Sequence, residues 1–455
     1  MPVSLTTTPC EDAIERDDRA RTMRLSGDCV LTEMMTIGDG WTLDGMGHAI
    51  VVGDEDGTWP DKAVLLIDRA TVTISDLLVD GRRLKRTCSE DDPLVVLKFQ
   101  KSSANVTKVA VEGNAGEQPN CGFTIGIQAL GKGPAPVQIV DSTIRRMDAI
   151  GVQAAMEGAM EVSGTLVVDS GMTNLGVYRG GQLTIGEESA LIGGEASAVV
   201  NGAGSHALFE HTHLGGSTIG IDVTNSATVT LDGSAVLKSF TGLRASDGTS
   251  IDVRPGTEFA LLGIGIHLTG GATGTISGAL FEEIDFAGIA AFESDGLIVT
   301  ESTFREIGDS NSDSAVLIQL SGGEAAITSN SMEQVSLGVN ASGDAGSILV
   351  ADNSFTEVSF AAIRLAANLD AEVTGNVIIG PTAPTRDSIG IRVEGTVRGT
   401  IQDNTVSGYV RTTTRVPGCA ISIGPDAQMS AKGNDFPPPG NTRSWCGPMV
   451  PLPTP

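Results

Sequence analysis

The chain has 455 residues, with 56 acidic against 29 basic side chains and a formal charge of -27. So acidic a chain repels phosphate, which argues against a general nucleic-acid binder, and no apolar run is long enough for a membrane-spanning helix. Its 58 glycines, 4% aromatic residues and 40% hydrophobic content suit short stacked strands with small-residue turns rather than disorder.

From the amino terminus, Glu11–Arg24 is charged and helix-compatible. It is expected to form a short capping helix within residues 1–24. Six cysteines fall in three close pairs: Cys10 and Cys29, Cys88 and Cys121, Cys419 and Cys446. No Cys-x-x-Cys motif is present to build a zinc ribbon or a thioredoxin-like centre. An even count in local pairs favours disulfides and an oxidising compartment. Buried free thiols in a cytosolic protein are the alternative. Residues 62–146 hold 12 basic and nine acidic residues, a net of +3, so the remainder carries -30. Arg82, Arg83, Lys85 and Arg86 cluster there, either to grip an anionic polymer or as a solvated loop balanced by Glu90, Asp91 and Asp92.

From residue 144 onwards one pattern recurs: a short apolar strand, a polar turn, a small residue and an apolar anchor. The anchors are Ile144, Leu166, Leu191, Leu214, Val236, Phe259, Phe281, Phe304, Met332, Phe355, Ile378 and Val406. Their spacings are 22, 25, 23, 22, 23, 22, 23, 28, 23, 23 and 28. Longer steps mark loops inserted at a corner, as at Gly308–Ser314 and Pro381–Ser388. Within each repeat the alternation has period two, as in Ser250-Ile251-Asp252-Val253, so the elements are strands. Units this short bury a core only when stacked, at about 4.8 Å per coil. A second series, Asn330, Asn353, Asn376, Asn404 and Asn434, occupies one position in successive repeats. Asn there is expected to take the left-handed turn and to hydrogen-bond along the stack. Phe436-Pro437-Pro438-Pro439-Gly440 is expected to end the strand pattern, leaving 437–455 as a carboxy-terminal cap and proline-rich tail.

Asp352-Asn353-Ser354-Phe355, Thr374-Gly375-Asn376-Val377 and Asp403-Asn404-Thr405-Val406, with the opening Trp41-Thr42-Leu43-Asp44-Gly45-Met46-Gly47-His48-Ala49-Ile50, resemble the secreted right-handed parallel β-helix proteins of the pectate-lyase-like superfold. The resemblance covers residues 25–436. It implies an all-β right-handed parallel β-helix of about 12 coils, each of 22–23 residues, and supplies the handedness. It carries an architecture rather than an activity.

One column of each repeat is expected to face outward and carry polar groups: Gln153, Tyr178, Asn201, Asp222, Arg244, His267, Ala290, Gln319, Asn340, Arg364, Arg392 and Ser422. The adjacent position is nearly all glycine or alanine (Gly151, Gly176, Gly220, Gly242, Gly265, Gly288, Gly338, Ala362, Gly390, Ala420). Together they suggest a flat outer shelf along which an extended polysaccharide lies, bound by Tyr178, Asn201, Gln319, Asn340, Arg364 and Arg392. A solvated strand face is the plainer alternative. Asp222, Arg244 and His267 are the catalytic candidates, because a base and cations together suit removal of a proton α to a uronate carboxylate. A surface ion pair between Asp222 and Arg244 is the alternative. Carboxylate pairs for glycoside hydrolysis arise among Asp222, Asp232, Asp252, Glu258, Glu282, Glu283 and Asp285. The catalytic signatures of polygalacturonases and pectate lyases are missing. No metal is called for: His206, His211 and His213 lack an obvious third ligand partner set. Calcium would suit the acidic surface, although no calcium-binding repeat occurs. The expected function is extracellular or cell-surface polysaccharide recognition, with lyase, epimerase or glycosidase-type processing left open. A non-catalytic rod, adhesin or assembly module is the alternative, and an oligomer is compatible with either.

Overall fold

The computed structural model describes residues 8–53, 59, 61–82, 84, 93–113, 124–294, 296–308, 313–382, 388–409, 418–438 and 443–446. Most of the expected loop insertions Gly308–Ser314 and Pro381–Ser388 lies outside these residues, as do Cys88 and Cys121. Two compact units are present, Met1–Val229 and Thr230–Pro455.

Each unit winds short strands into coils whose equivalent strands pair in parallel. A coil of unit 1 runs Thr173–Tyr178, Gln182–Ile185 and Ala190–Ile192. A coil of unit 2 runs Ala361–Ala367, Asp370–Thr374 and Val377–Ile379. Successive coils stay in register, as in Leu175↔Ala198 and Ile363↔Ile391. We call the three strands of a coil its first, second and third. The inward side chains of all three are buried, which is what period-two alternation requires of a stack whose individual turns have no core of their own.

The anchors occupy one inward column of third strands. Phe259, Phe281, Phe304, Met332, Phe355, Ile378 and Val406 are consecutive register partners in unit 2. Phe281 is stacked between Phe259 and Phe304, at centroid distances of 5.0 and 4.7 Å and nearly parallel planes. In unit 1 the anchor is Val167 rather than Leu166. Ile144 pairs with Val167, and Val167 with Leu191, while Leu166 is exposed. Two adjacent apolar residues of opposite parity had hidden the register. Truncating Phe281 to Ala is expected to cost about 3–5 kcal/mol, because the ring is fully buried. Denaturant unfolding checks it, and a loss below about 1 kcal/mol would mean the column collapses to fill the gap.

The Asn series forms a continuous ladder at the turn between second and third strands. Asn353 Nδ2 donates to Asn376 Oδ1 at 3.0 Å and Asn376 Nδ2 to Asn404 Oδ1 at 2.9 Å, with Asn330 and Asn434 extending the chain on either side. The left-handed residue is the one before each Asn: Ser329, Asp352, Gly375, Asp403 and Gly433 have φ of 59°, 57°, 67°, 55° and 70°. That turn aims the following side chain inward, where an amide both accepts and donates. Unit 2 continues the ladder backwards with Ser302, whose N–H donates to Asn330 Oδ1 and whose Oγ accepts from Ala279 N–H. Unit 1 builds the same rung from hydroxyls: Ser142 N–H donates to Thr165 Oγ1, and Thr165 N–H to Ser189 Oγ.

The expected short amino-terminal helix is present, and strands make up the rest of both ends. The amino-terminal helix is one turn, Cys10–Ala13, and Ile14–Asp17 turns back against Thr22–Leu25 as an antiparallel hairpin. The Asp17 carboxylate accepts from the N–H groups of Arg19 and Ala20 and so closes the hairpin before a helix can propagate. At the other end the pattern outlasts the prolines: Arg443–Cys446 adds a parallel strand to Cys419–Ile423. Disulfides Cys10–Cys29 and Cys419–Cys446 tie the two ends; such bonds persist in oxidising compartments. No helix among the described residues is long and apolar enough to cross a membrane.

Candidate functional site

The outward side chains of the first strands sort into two columns, and the expected shelf residues divide between them. In unit 1 one column runs Lys98, Gln128, Gln153, Gly176, Val199 and Asp222. The next, two residues on, runs Gln100, Leu130, Ala155, Tyr178, Asn201 and Thr224. Tyr178 and Asn201 are therefore not in line with Gln153 and Asp222 but beside them. Unit 2 has Arg244, His267, Ala290, Leu317, Asn340, Arg364, Arg392 and Ser422 in one column. Gln319 lies outside it, paired with Phe292 and Ser342. Tyr178, Asn201 and Gln319 each stand two residues beyond the register partner of the preceding column residue, that is beyond Gly176, Val199 and Leu317.

The small-residue column is not a shelf. A Cβ on Gly265 would stand 2.4 Å from the Gly288 carbonyl oxygen and 2.9 Å from Phe281 Cδ1. Gly242, Gly288 and Gly338 likewise face Phe259, Phe304 and Phe355. These glycines point into the bend beneath the stacked rings. Where the anchor is Met332 or Ile378, the equivalent residue is Ala315 or Ala362. Gly176 is the exception: it faces outward and the Tyr178 ring lies across it, 2.4 Å from where a Cβ would be.

Folding Tyr178 over Gly176 helps shape a cleft of about 570 Å³ in unit 1, lined by Lys98, Gln128, Gln153, Tyr178, Arg179 and Asn201 with Leu130 and Met156. Tyr178 packs on Val95, Ile125 and Ile150 at its base. Burial first, then the charge of Asp222, push the phenol up to about 12. It stays protonated at neutral pH and acts as a hydrogen-bond donor rather than a base. Gln128 Nε2 donates to Gln153 Oε1. Lys98 comes from the basic segment 62–146 and, with Arg179, gives the cleft two cations. Lys98, Gln128 and Arg179 were not picked out by sequence. Lys98 and Gln128 precede the regular repeats, and only the parity of Val95–Gln100 and Ile125–Leu130 could have aligned them.

In unit 2, Arg244 and His267 are direct register partners on adjacent coils. Burial, then the Arg244 charge, hold the imidazole below the ordinary histidine range. Its ring meets Phe292 edge-on at 5.7 Å. A neutral imidazole beside a fixed cation can accept a proton at neutral pH. An NMR titration of His267 is expected to give a midpoint below about 6.5, rising in Arg244→Ala. An unchanged midpoint would leave burial alone as the cause. Asp222 belongs to unit 1, where its charge acts on Tyr178.

Further along the column, Arg364 and Arg392 share Glu394: Arg364 Nη2 and Arg392 Nε donate to its carboxylate at 3.0 and 2.8 Å. Arg364 Nη1 also reaches Asn340 Oδ1 at 3.3 Å. Burial opposes ionisation of Glu394, but the hydrogen bonds and charges of the two arginines together hold it below the usual carboxylate range. Ala290 and Leu317 separate this group from Arg244 and His267, so unit 2 carries two polar groups and not a continuous row. Arg82, of the expected basic cluster, is committed to Asp80 at 2.7 Å; the other three members lie outside the described residues. His206 Nδ1 contacts Thr228 Oγ1 at 2.9 Å. Among the described residues no three His, Cys, Asp or Glu side chains gather to hold a metal.

Residues 125–304 and 264–436 match the family described as the right-handed beta helix region. That match spans most of the chain, and the chain belongs to this family. No curated protein matches it. Solved structures similar to it include PfbA, a surface adhesin of Streptococcus pneumoniae, with 13% identity, 93% of this chain and 85% of that one covered, and a TM-score of 0.27. The periplasmic alginate epimerase AlgG has 10% identity over 93% of this chain and 80% of its own, at a TM-score of 0.26. The Agl-KA catalytic domain has 12% identity over 98% and 69%, at 0.27. None of the three bears on what this chain does.

Proposed function

We propose that the chain recognises an extended acidic polysaccharide outside the cell, on the outer side of its first strands. The observation that carries this reading is the unit 1 cleft. Its two cations suit carboxylates, its three amides and its protonated phenol suit hydroxyls and ring oxygens, and Leu130 and Met156 offer an apolar wall. Such a mixture of an apolar wall and a few placed polar groups is what small-ligand sites require.

Any processing of the polymer falls to Arg244 and His267. In a β-elimination the neutral imidazole takes the C5 proton α to a uronate carboxylate held by the guanidinium, the electron pair forms the C4–C5 double bond, and the glycosidic oxygen leaves C4 and is protonated by solvent. Asp222 adds its charge to the burial that raises the Tyr178 phenol. Arg364, Arg392 and Asn340 form a further contact point, with guanidinium donors left over after Glu394 is satisfied. A second reading, a non-catalytic surface rod or adhesin, is favoured by one observation: the Arg364–Arg392–Glu394 group is mutually paired.

The test is affinity electrophoresis of the protein through gels containing alginate or polygalacturonate, with product absorbance and reducing ends followed in parallel. Retardation is expected to fall at least tenfold in Lys98→Glu, with the melting curve unchanged because Lys98 is part-exposed. Unsaturated-product absorbance lost in both Arg244→Ala and His267→Ala would support the processing role. Absence of retardation by every acidic polymer would overturn the reading; retardation without turnover would leave recognition and favour the rod.

A further inference from the structure

The second strands of unit 2 carry a groove that the preceding reading does not use. It has a volume of about 1060 Å³ and reaches from Ser250 to Arg398. Six coil steps separate those residues, about 29 Å at the usual strand spacing. Its floor is one outward column in strict register: Thr275, Ile298, Ala326, Leu349, Glu372 and Thr400. The centre of that floor is apolar, and Ile298 is 49% exposed. Gly322 and Gly323 line one side, where the strand register slips between Leu320 and Glu324.

The chemistry of the groove narrows its occupant. The floor is the face of a sheet whose backbone groups are already bonded to the coils on either side. A peptide therefore has no free edge on which to add a strand. Glu324, Asp370 and Glu372 outnumber Arg398, so uronate, sulfate or phosphate polymers are repelled. The same carboxylates are strong acceptors for hydroxyl hydrogens. Thr275 at one end of the apolar stretch and Glu372 and Thr400 beyond the other supply hydroxyl-binding groups, while the stretch itself fits the C–H face of a pyranose ring. The length and the repeat along the coil stack fit a chain.

We propose that this groove binds a neutral, hydroxyl-rich polysaccharide lying along the stacking direction of unit 2, independently of the cationic cleft of unit 1. The chain would then hold two polymers of different charge.

The experiment uses the full chain in affinity gels containing laminarin, xylan, dextran or mixed-linkage glucan, with alginate gels alongside. At least one neutral polymer is expected to retard the protein. That retardation should weaken tenfold or more in Ile298→Arg and in Thr275→Arg, both exposed positions, and persist in Lys98→Glu. Alginate retardation should show the converse pattern. No retardation by any neutral polymer overturns the groove, and so does equal retardation of both groove variants and the parent. Loss of alginate binding alone would instead count against the cleft.

Discussion

Gly265→Trp is expected to abolish folding of unit 2 rather than to block a ligand. The Cβ alone would meet the Gly288 carbonyl at 2.4 Å and the Phe281 ring at 2.9 Å, and the neighbouring coils offer no relief because Gly242 and Gly288 are equally tight. Overpacking of a close-packed core already costs about 1–3 kcal/mol for added methylenes; an indole in this bend far exceeds that. His267→Trp, two residues along the same strand but outward, is the control and should leave the thermal transition within a few degrees of the parent. Circular dichroism melts decide it. A folded Gly265→Trp with a parental melt would show that this column faces solvent after all.

Asn376→Leu is expected to cost at least about 3 kcal/mol. Asn376 Oδ1 accepts from both the backbone N–H and Nδ2 of Asn353, each at 3.0 Å. Its Nδ2 donates to the Val350 carbonyl at 2.9 Å and to Asn404 Oδ1 at 2.9 Å. Leucine fills the volume but leaves these partners buried and unpaired, and an unsatisfied buried group costs about 1–3 kcal/mol. Asn434→Leu, at the part-exposed end of the ladder, should cost much less because water replaces the lost partner. Repeat stacks need not unfold in one step, so hydrogen exchange of the Asn353 and Asn404 amides is the sharper readout. Equal effects at 376 and 434 would contradict a cooperative ladder.

The architecture was legible because repetition amplifies weak signals. A single Phe or Asn says little, but Phe259, Phe281 and Phe304 at 22 and 23 residues, and five Asn in step, fix strand type and stacking together. The hydroxyl part of the ladder was not legible, because Ser142, Thr165 and Ser189 are residues that turns use everywhere. Direction was harder than periodicity. At a bend between strands the parity rule fails, so Gly265 reads as outward when it points under a ring. The short amino-terminal helix was legible, but the hairpin that follows it was not: Asp17 satisfies a tight turn that charge patterning alone cannot distinguish from a helix start.

The candidate site was legible in part. Tyr178 and Asn201 do line a cleft, and Arg244 and His267 are neighbours, because both facts follow from coil register. Lys98, Gln128 and Arg179 were missed, since the first two precede the regular repeats and the third sits in a turn.

The most direct measurement of the central claim is hydrogen–deuterium exchange of the full chain with and without an alginate oligosaccharide. The account predicts new protection that includes the unit 1 strands Val95–Gln100, Ile125–Leu130, Ile150–Ala155, Thr173–Tyr178 and Ala196–Asn201. Protection confined to other strands, or none at saturating oligosaccharide, would contradict it.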